Sequence, residues 1–202
     1  MNFLFIPVFK MNTDYKALNN KNNIRNGRKM DISLTLQDRL NLYNQYTILQ
    51  KLSLLQGDEN EAEYYELRAK IVSEGYLYDY YMLTECINED FSHEDAELVW
   101  DTLDMYSAIY FSFGKIQNPK LSKEQIKFEG FDGNHETRSM IYCRFVIYEL
   151  GRFSELKGNG YEDYNSHCRR CDKYKAMVDK WKGMDRPFEM SEEQIEELIE
   201  TW

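Results

Sequence analysis

The chain has 202 residues, 43% of them hydrophobic, which is enough for a sizeable core and about the size of one large domain. Its formal net charge of -10 is uneven: residues 1–30 hold six Lys/Arg against one Asp, so the remainder is near -15. A body that acidic repels phosphate backbones and anionic membrane surfaces, which argues against nonspecific nucleic-acid or membrane binding as its main business.

No stretch approaches the roughly 20 apolar residues that a membrane-spanning helix needs, and the apolar opening Met1 to Phe9 lacks the basic start and small-residue cleavage pattern of a signal peptide. Four cysteines, Cys86, Cys143, Cys168 and Cys171, show no disulfide-framework spacing, so a reducing, cytoplasmic setting is expected. Residues 10–30, rich in Asn and Lys, cannot bury enough apolar surface to offset the entropy of ordering and are predicted to be disordered. Residues 1–30 are either a mis-assigned start, with Met30 the physiological one, or a basic arm for an anionic partner.

A helix is predicted over 35–55, with Leu36, Leu40, Tyr43, Tyr46, Leu49 and Leu52 recurring at three or four, and Gly57-Asp58 breaks it. A second, over 59–74, buries Tyr64, Leu67 and Ile71 with Tyr65 and Val72 beside them, and closes at Gly75. Tyr76, Tyr78, Tyr80 and Tyr81 follow. With no basic residues among them, rings that pack while their hydroxyls reach water fit better than a base-stacking platform. Ser92 with Asp95 starts a long helix reaching about residue 115, apolar on two faces and ended by Asn118-Pro119.

The turn Phe128-Glu129-Gly130-Phe131-Asp132-Gly133-Asn134-His135-Glu136 feeds a segment from Met140 to Leu150 with apolar groups in nearly every direction, expected to be a core helix covered on several sides. Arg144, at its middle, would then require a carboxylate, with Glu136, Asp101 and Asp104 as candidates. A glycine-punctuated loop leads to a helix over 167–182 presenting Tyr174, Met177, Val178 and Trp181. The last helix, capped by Ser191 with Gln194, carries the stripe Ile195, Leu198, Ile199 and Trp202 and must dock on the body or on a second subunit. No strand-like alternation occurs. The predicted fold is all-α, a single compact helical domain of about six to seven helices around two long central ones.

Two constellations carry possible chemistry. Asp132, Asn134, His135 and Glu136 gather at a helix N-terminus, where free N–H groups favour anions. They make either a general base with an oxyanion-type donor set or a plain structural arrangement with Asp132 as N-cap. His167, Cys168 and Cys171 amount to half a zinc site. Nucleotide-binding and hydrolase signatures are absent, which counts modestly against an enzyme. The basic run from Arg169 to Lys182 could meet an acidic surface, and the chain's own acidic last helix is one, so self-association is expected.

Phe128-x-Gly130-Phe131-Asp132 with Glu136, Arg144 and Gly151-Arg152, together with Asn44-Gln45-Tyr46 and Glu74-Gly75-Tyr76, resembles the YfbU family of small bacterial helical proteins over about residues 31–202. The resemblance implies an all-α protein and the importance of Gly130, Phe131, Asp132 and Glu136, and it names no reaction. Its pattern fits Asn165, Tyr174, Met177 and Trp181 and requires no cysteine at 168 or 171, so no cofactor is expected, with zinc as the alternative. The expected function is a cytoplasmic protein-interaction or regulatory module, self-associating or partnered, in stress or defence. The alternative is a hydrolase or nuclease-like enzyme with Asp132, His135, Glu136 and Arg144 as catalytic candidates.

Overall fold

The computed structural model describes residues 32–158 and 163–201; the expectations for residues 1–30 and Trp202 lie outside them. Among the described residues the fold is all-α, in two compact units divided between Glu89 and Asp90.

The first unit is a helix hairpin. Helix α1 (Leu36–Gln56) begins at Thr35, which forms a reciprocal capping box with Asp38, and is closed by Gly57; α2 (Glu59–Glu74) begins at Asp58, whose side chain accepts the Glu61 N–H. Arg39 of α1 donates from Nε to the Val72 carbonyl and from Nη2 to that of Ser73, both at 2.7 Å, so it satisfies two carbonyls that the end of α2 leaves without helical partners. A 3-10 helix (Leu77–Leu83) completes the unit. Its core is small: Ile71, Val72, Tyr80 and Leu83 are buried, and Ile32, Leu34, Leu42, Tyr46 and Met82 pack against them.

Two expectations fail here. The stripe on α1 is largely exposed, Leu36 at 79% and Leu40 at 54%, and Ser53 is the one buried residue of that helix. Leucines lie on nearly every side of α1, so their spacing could not tell which side the hairpin would cover. On α2, Leu67 is exposed while Arg68 is buried along with the small Ala62 and Ala69. Small residues let the helices approach closely, and the long leucine is left on the outer side.

The second unit is built on α3 (His93–Phe113), capped by Ser92 and buried at Val99, Leu103, Met105, Tyr106, Ala108 and Ile109. It is the core helix, apolar on two sides as its sequence requires. The segment expected to share that role differs: α4 (Thr137–Arg144) runs into a π-helical stretch (Phe145–Glu149) and buries only Ser139, Cys143, Val146 and Ile147. Ile141, Phe145, Tyr148 and Leu150 are exposed, and so is Arg144. An all-round apolar composition permits burial on every side without enforcing it, and an exposed guanidinium needs no partner carboxylate. Asp101 pairs elsewhere, with Lys182 at 2.5 Å and Arg186 at 3.2 Å.

Helix α5 (Cys171–Gly183) buries Tyr174, Met177, Val178 and Trp181 as expected. Helix α6 (Glu192–Ile199) starts at the Ser191/Gln194 capping box and sets Ile195 and Leu198 in the core of this unit. Lys180 of α5 meets Glu197 of α6 at 3.0 Å, so the basic helix finds an acidic partner within its own chain.

Candidate functional site

Phe128 and Phe131 anchor the turn. Both are fully buried: the Phe128 ring meets Tyr106 of α3, Tyr164 and Tyr174 of α5 in tilted contacts at centroid distances of 5.1–5.9 Å, and the Phe131 ring meets Tyr174 edge-on at 5.4 Å and Phe128 at 6.1 Å. Between them Gly130 sits at φ +85°, and a Cβ placed there would collide with the Tyr164 backbone. That close approach permits a parallel bridge in which the Phe131 N–H donates to the Tyr164 carbonyl (2.9 Å) and the Ser166 N–H donates to the Phe131 carbonyl (3.1 Å). Residues 163–170 are thus held against the turn, which is why α5 starts at Cys171 and not at His167. Tyr164 and His167 both take positive φ in this stretch (53° and 55°), an uncommon conformation for such side chains.

Glu136 locks the two segments together. Its carboxylate accepts the N–H groups of Asp132 (3.0 Å), Arg170 (2.8 Å) and Cys171 (2.8 Å). Arg170 precedes α5 and offers no side-chain cap of its own, so Glu136, 34 residues away in sequence, caps that helix. Asn165 adds a second tie, its Oδ1 accepting the N–H of Gly133 (2.9 Å) and of His167 (3.0 Å), and Arg170 pairs with Glu129 at 2.8 Å.

The expected N-cap role of Asp132 is corrected by this geometry. Glu136, not Asp132, holds the cap position of α4, with no side-chain hydrogen bond there, because the turn leaves Asp132 four residues upstream. Buried Asp132 accepts the Asn134 N–H on Oδ1 (2.9 Å) and meets His135 Nδ1 with Oδ2 at 2.5 Å, while His135 is half exposed. The Asn134 N–H and then His135 hold the Asp132 carboxyl below its usual value. A lowered native pKa stabilises the fold above the unfolded value and is lost as pH falls through the native one. The stability gap between the wild type and Asp132→Asn is therefore constant at neutral pH and narrows as pH falls past 3.8; urea unfolding at a series of pH values checks this.

Of the four catalytic candidates, the structure brings Asp132, His135 and Glu136 together and leaves Arg144 on the exposed side of α4. His167 and Cys168 are exposed, and burial followed by the nearby Glu136 pushes the Cys171 thiol up to about 12. Among the described residues no group of three His, Cys, Asp or Glu is placed to hold a metal ion.

Arg68 was not visible in the sequence. Buried in the first unit, it ion-pairs with Glu85, donates to the Tyr64 carbonyl (3.2 Å) and lies over the Tyr64 ring, whose hydroxyl burial pushes up to about 12.

A family profile described as the YfbU domain matches residues 32–201. The UPF0304 protein MJECS11 of Methanocaldococcus jannaschii is 31% identical over 169 residues, an alignment that covers 80% of this chain and 96% of that protein.

Proposed function

Because the chain belongs to the YfbU family, whose biochemical activity is unassigned, we propose its function from its own surfaces: a protein-interaction module that self-associates through α1. The observation that carries this reading is the exposure of Leu36, Leu40, Tyr43 and Leu54, which fall on one side of α1 at i, i+4, i+7 and i+18. Among the described residues the core cluster of the first unit has only four buried apolar side chains, Ile71, Val72, Tyr80 and Leu83, a small core for a helix hairpin to rest on alone.

Charge favours a second copy as the occupant. Two chains of net charge -10 repel, yet α1 carries only Asp38, Arg39 and Lys51 among 21 residues, and the first two are engaged in the capping box and on the α2 carbonyls. A two-fold pairing of this helix brings neutral side chains together. We expect the full chain to sediment as a dimer at micromolar concentration, and Leu40→Asp, which changes an exposed side chain, to give a monomer with unchanged helical circular dichroism. A wild type that stays monomeric across the concentration range contradicts the reading.

A second reading, a hydrolase or nuclease-like enzyme, is favoured by the contact of buried Asp132 with His135, the arrangement that orients a general base. Glu136 contributes little to it, since its oxygens are occupied by three backbone N–H groups.

A further inference from the structure

We propose that the outer side of α4 and its π-helical extension is a docking surface for an acidic segment of another protein. It uses a different element from α1, so the inference goes beyond self-association and does not depend on it. Ser139, Cys143, Val146 and Ile147 are buried on one side of this segment, and the positions opposite them at helical spacing are Ile141, Arg144, Phe145 and Tyr148. That opposite side faces solvent, yet three of its four residues are aliphatic or aromatic, exposed at 39% for Ile141, 37% for Phe145 and 48% for Tyr148. Exposed apolar groups scattered singly need no explanation, whereas a stripe of them along one side of a helix marks a contact site.

The two rings are held from beneath. Phe145 stacks on Tyr142 at 6.1 Å between centroids, and the Tyr142 hydroxyl accepts the indole N–H of Trp100 from α3 at 3.0 Å. Tyr148 leans on the buried Tyr164 ring at 5.8 Å. Rings fixed in this way lose little conformational freedom when a partner covers them, as interface anchors require. Charge selects the occupant. Residues 138–152 hold three arginines against one acid, Glu149, in a chain of net charge -10. Among the described residues Arg144 and Arg152 are exposed and make no ion pair, and the Lys157 ammonium lies 5.6 Å from the Tyr148 centroid. Guanidinium groups beside apolar anchors fit a segment that carries carboxylates on either side of an apolar side chain. A second copy fits less well, because a two-fold pairing centred on this stripe brings the Arg144 guanidinium of each copy into the same contact. Single-stranded nucleic acid could stack on the rings, but the acidic chain repels it and Ile141 gives it nothing to pair with.

Random peptides of about twelve residues, long enough for a helix of about 18 Å, are displayed on phage and selected against the immobilised full chain. A parallel selection uses Arg144→Glu, whose exposed position should leave the circular dichroism unchanged. The expected result is that the wild type enriches peptides with acidic residues flanking an aromatic or aliphatic one, and that Arg144→Glu does not. The leading peptide, synthesised with a fluorescein label, should bind Arg144→Glu and Phe145→Ala at least about tenfold more weakly by anisotropy, and exchanging its acids for lysine should restore binding to Arg144→Glu. Recovery of no peptide above background, of peptides without acidic enrichment, or of the same acidic peptides on Arg144→Glu overturns the proposal, and so does unchanged affinity in Phe145→Ala. A fluorescein-labelled oligouridine that binds the wild type more tightly than the leading peptide and is weakened by Phe145→Ala overturns it in favour of nucleic acid. A dimer that Phe145→Ala turns into a monomer overturns it in favour of a second copy.

Discussion

Replacing Glu136 by alanine is expected to lower the free energy of unfolding by about 3–5 kcal/mol, because three backbone N–H groups lose a charged acceptor at once. Two of these groups, those of Arg170 and Cys171, belong to the start of α5, where Arg170 provides no cap. The loss therefore falls on the helix that contributes Tyr174, Met177 and Trp181 to the core. Glu136→Gln keeps one acceptor oxygen and turns an amide donor toward the remaining N–H groups, so it should fall between alanine and the wild type. Urea denaturation followed by circular dichroism measures both. A change below about 1 kcal/mol for the alanine variant, within the range of an ordinary surface substitution, would show that the carboxylate does not hold these segments together.

Gly130→Ala should be as damaging for a different reason. The backbone there is left-handed, and the added methyl runs into the backbone of Tyr164, which cannot move without breaking the bridge in which its carbonyl accepts the Phe131 N–H. The expected cost is about 3 kcal/mol or more, a fall of roughly 10 °C in melting temperature for a chain of this size. Gly151→Ala separates the two contributions: Gly151 is also left-handed, at φ +65°, but has nothing within 4 Å of a built Cβ, so only the conformational cost of about 1 kcal/mol remains. Equal losses in the two variants, read by scanning calorimetry, would rule out the close approach as the cause.

Much of the local structure was legible because it depends on neighbours in sequence. The caps at Ser92 and Ser191, the break at Gly57, the buried stripe of α5 and the two apolar faces of α3 follow from side chains three or four positions apart, which a helix brings together by its own geometry. The turn from Phe128 to Glu136 could also be singled out, since its glycines, aromatics and acids stand in one short run.

What that turn does was decided by the tertiary structure. Glu136 looks like a first-turn acid of the helix that follows it, yet its carboxylate reaches the start of α5, and the bridge between Phe131 and Asn165 that makes this possible spans a separation that no periodicity records. Arg144 and the apolar side chains on α1 misled for a related reason: composition reports which groups can be buried, and only the packing of neighbouring elements selects which are. The buried Arg68 is the converse case, where the ion pair with Glu85 and the Tyr64 ring, set in place by the fold, make tolerable a position that its charge alone would forbid.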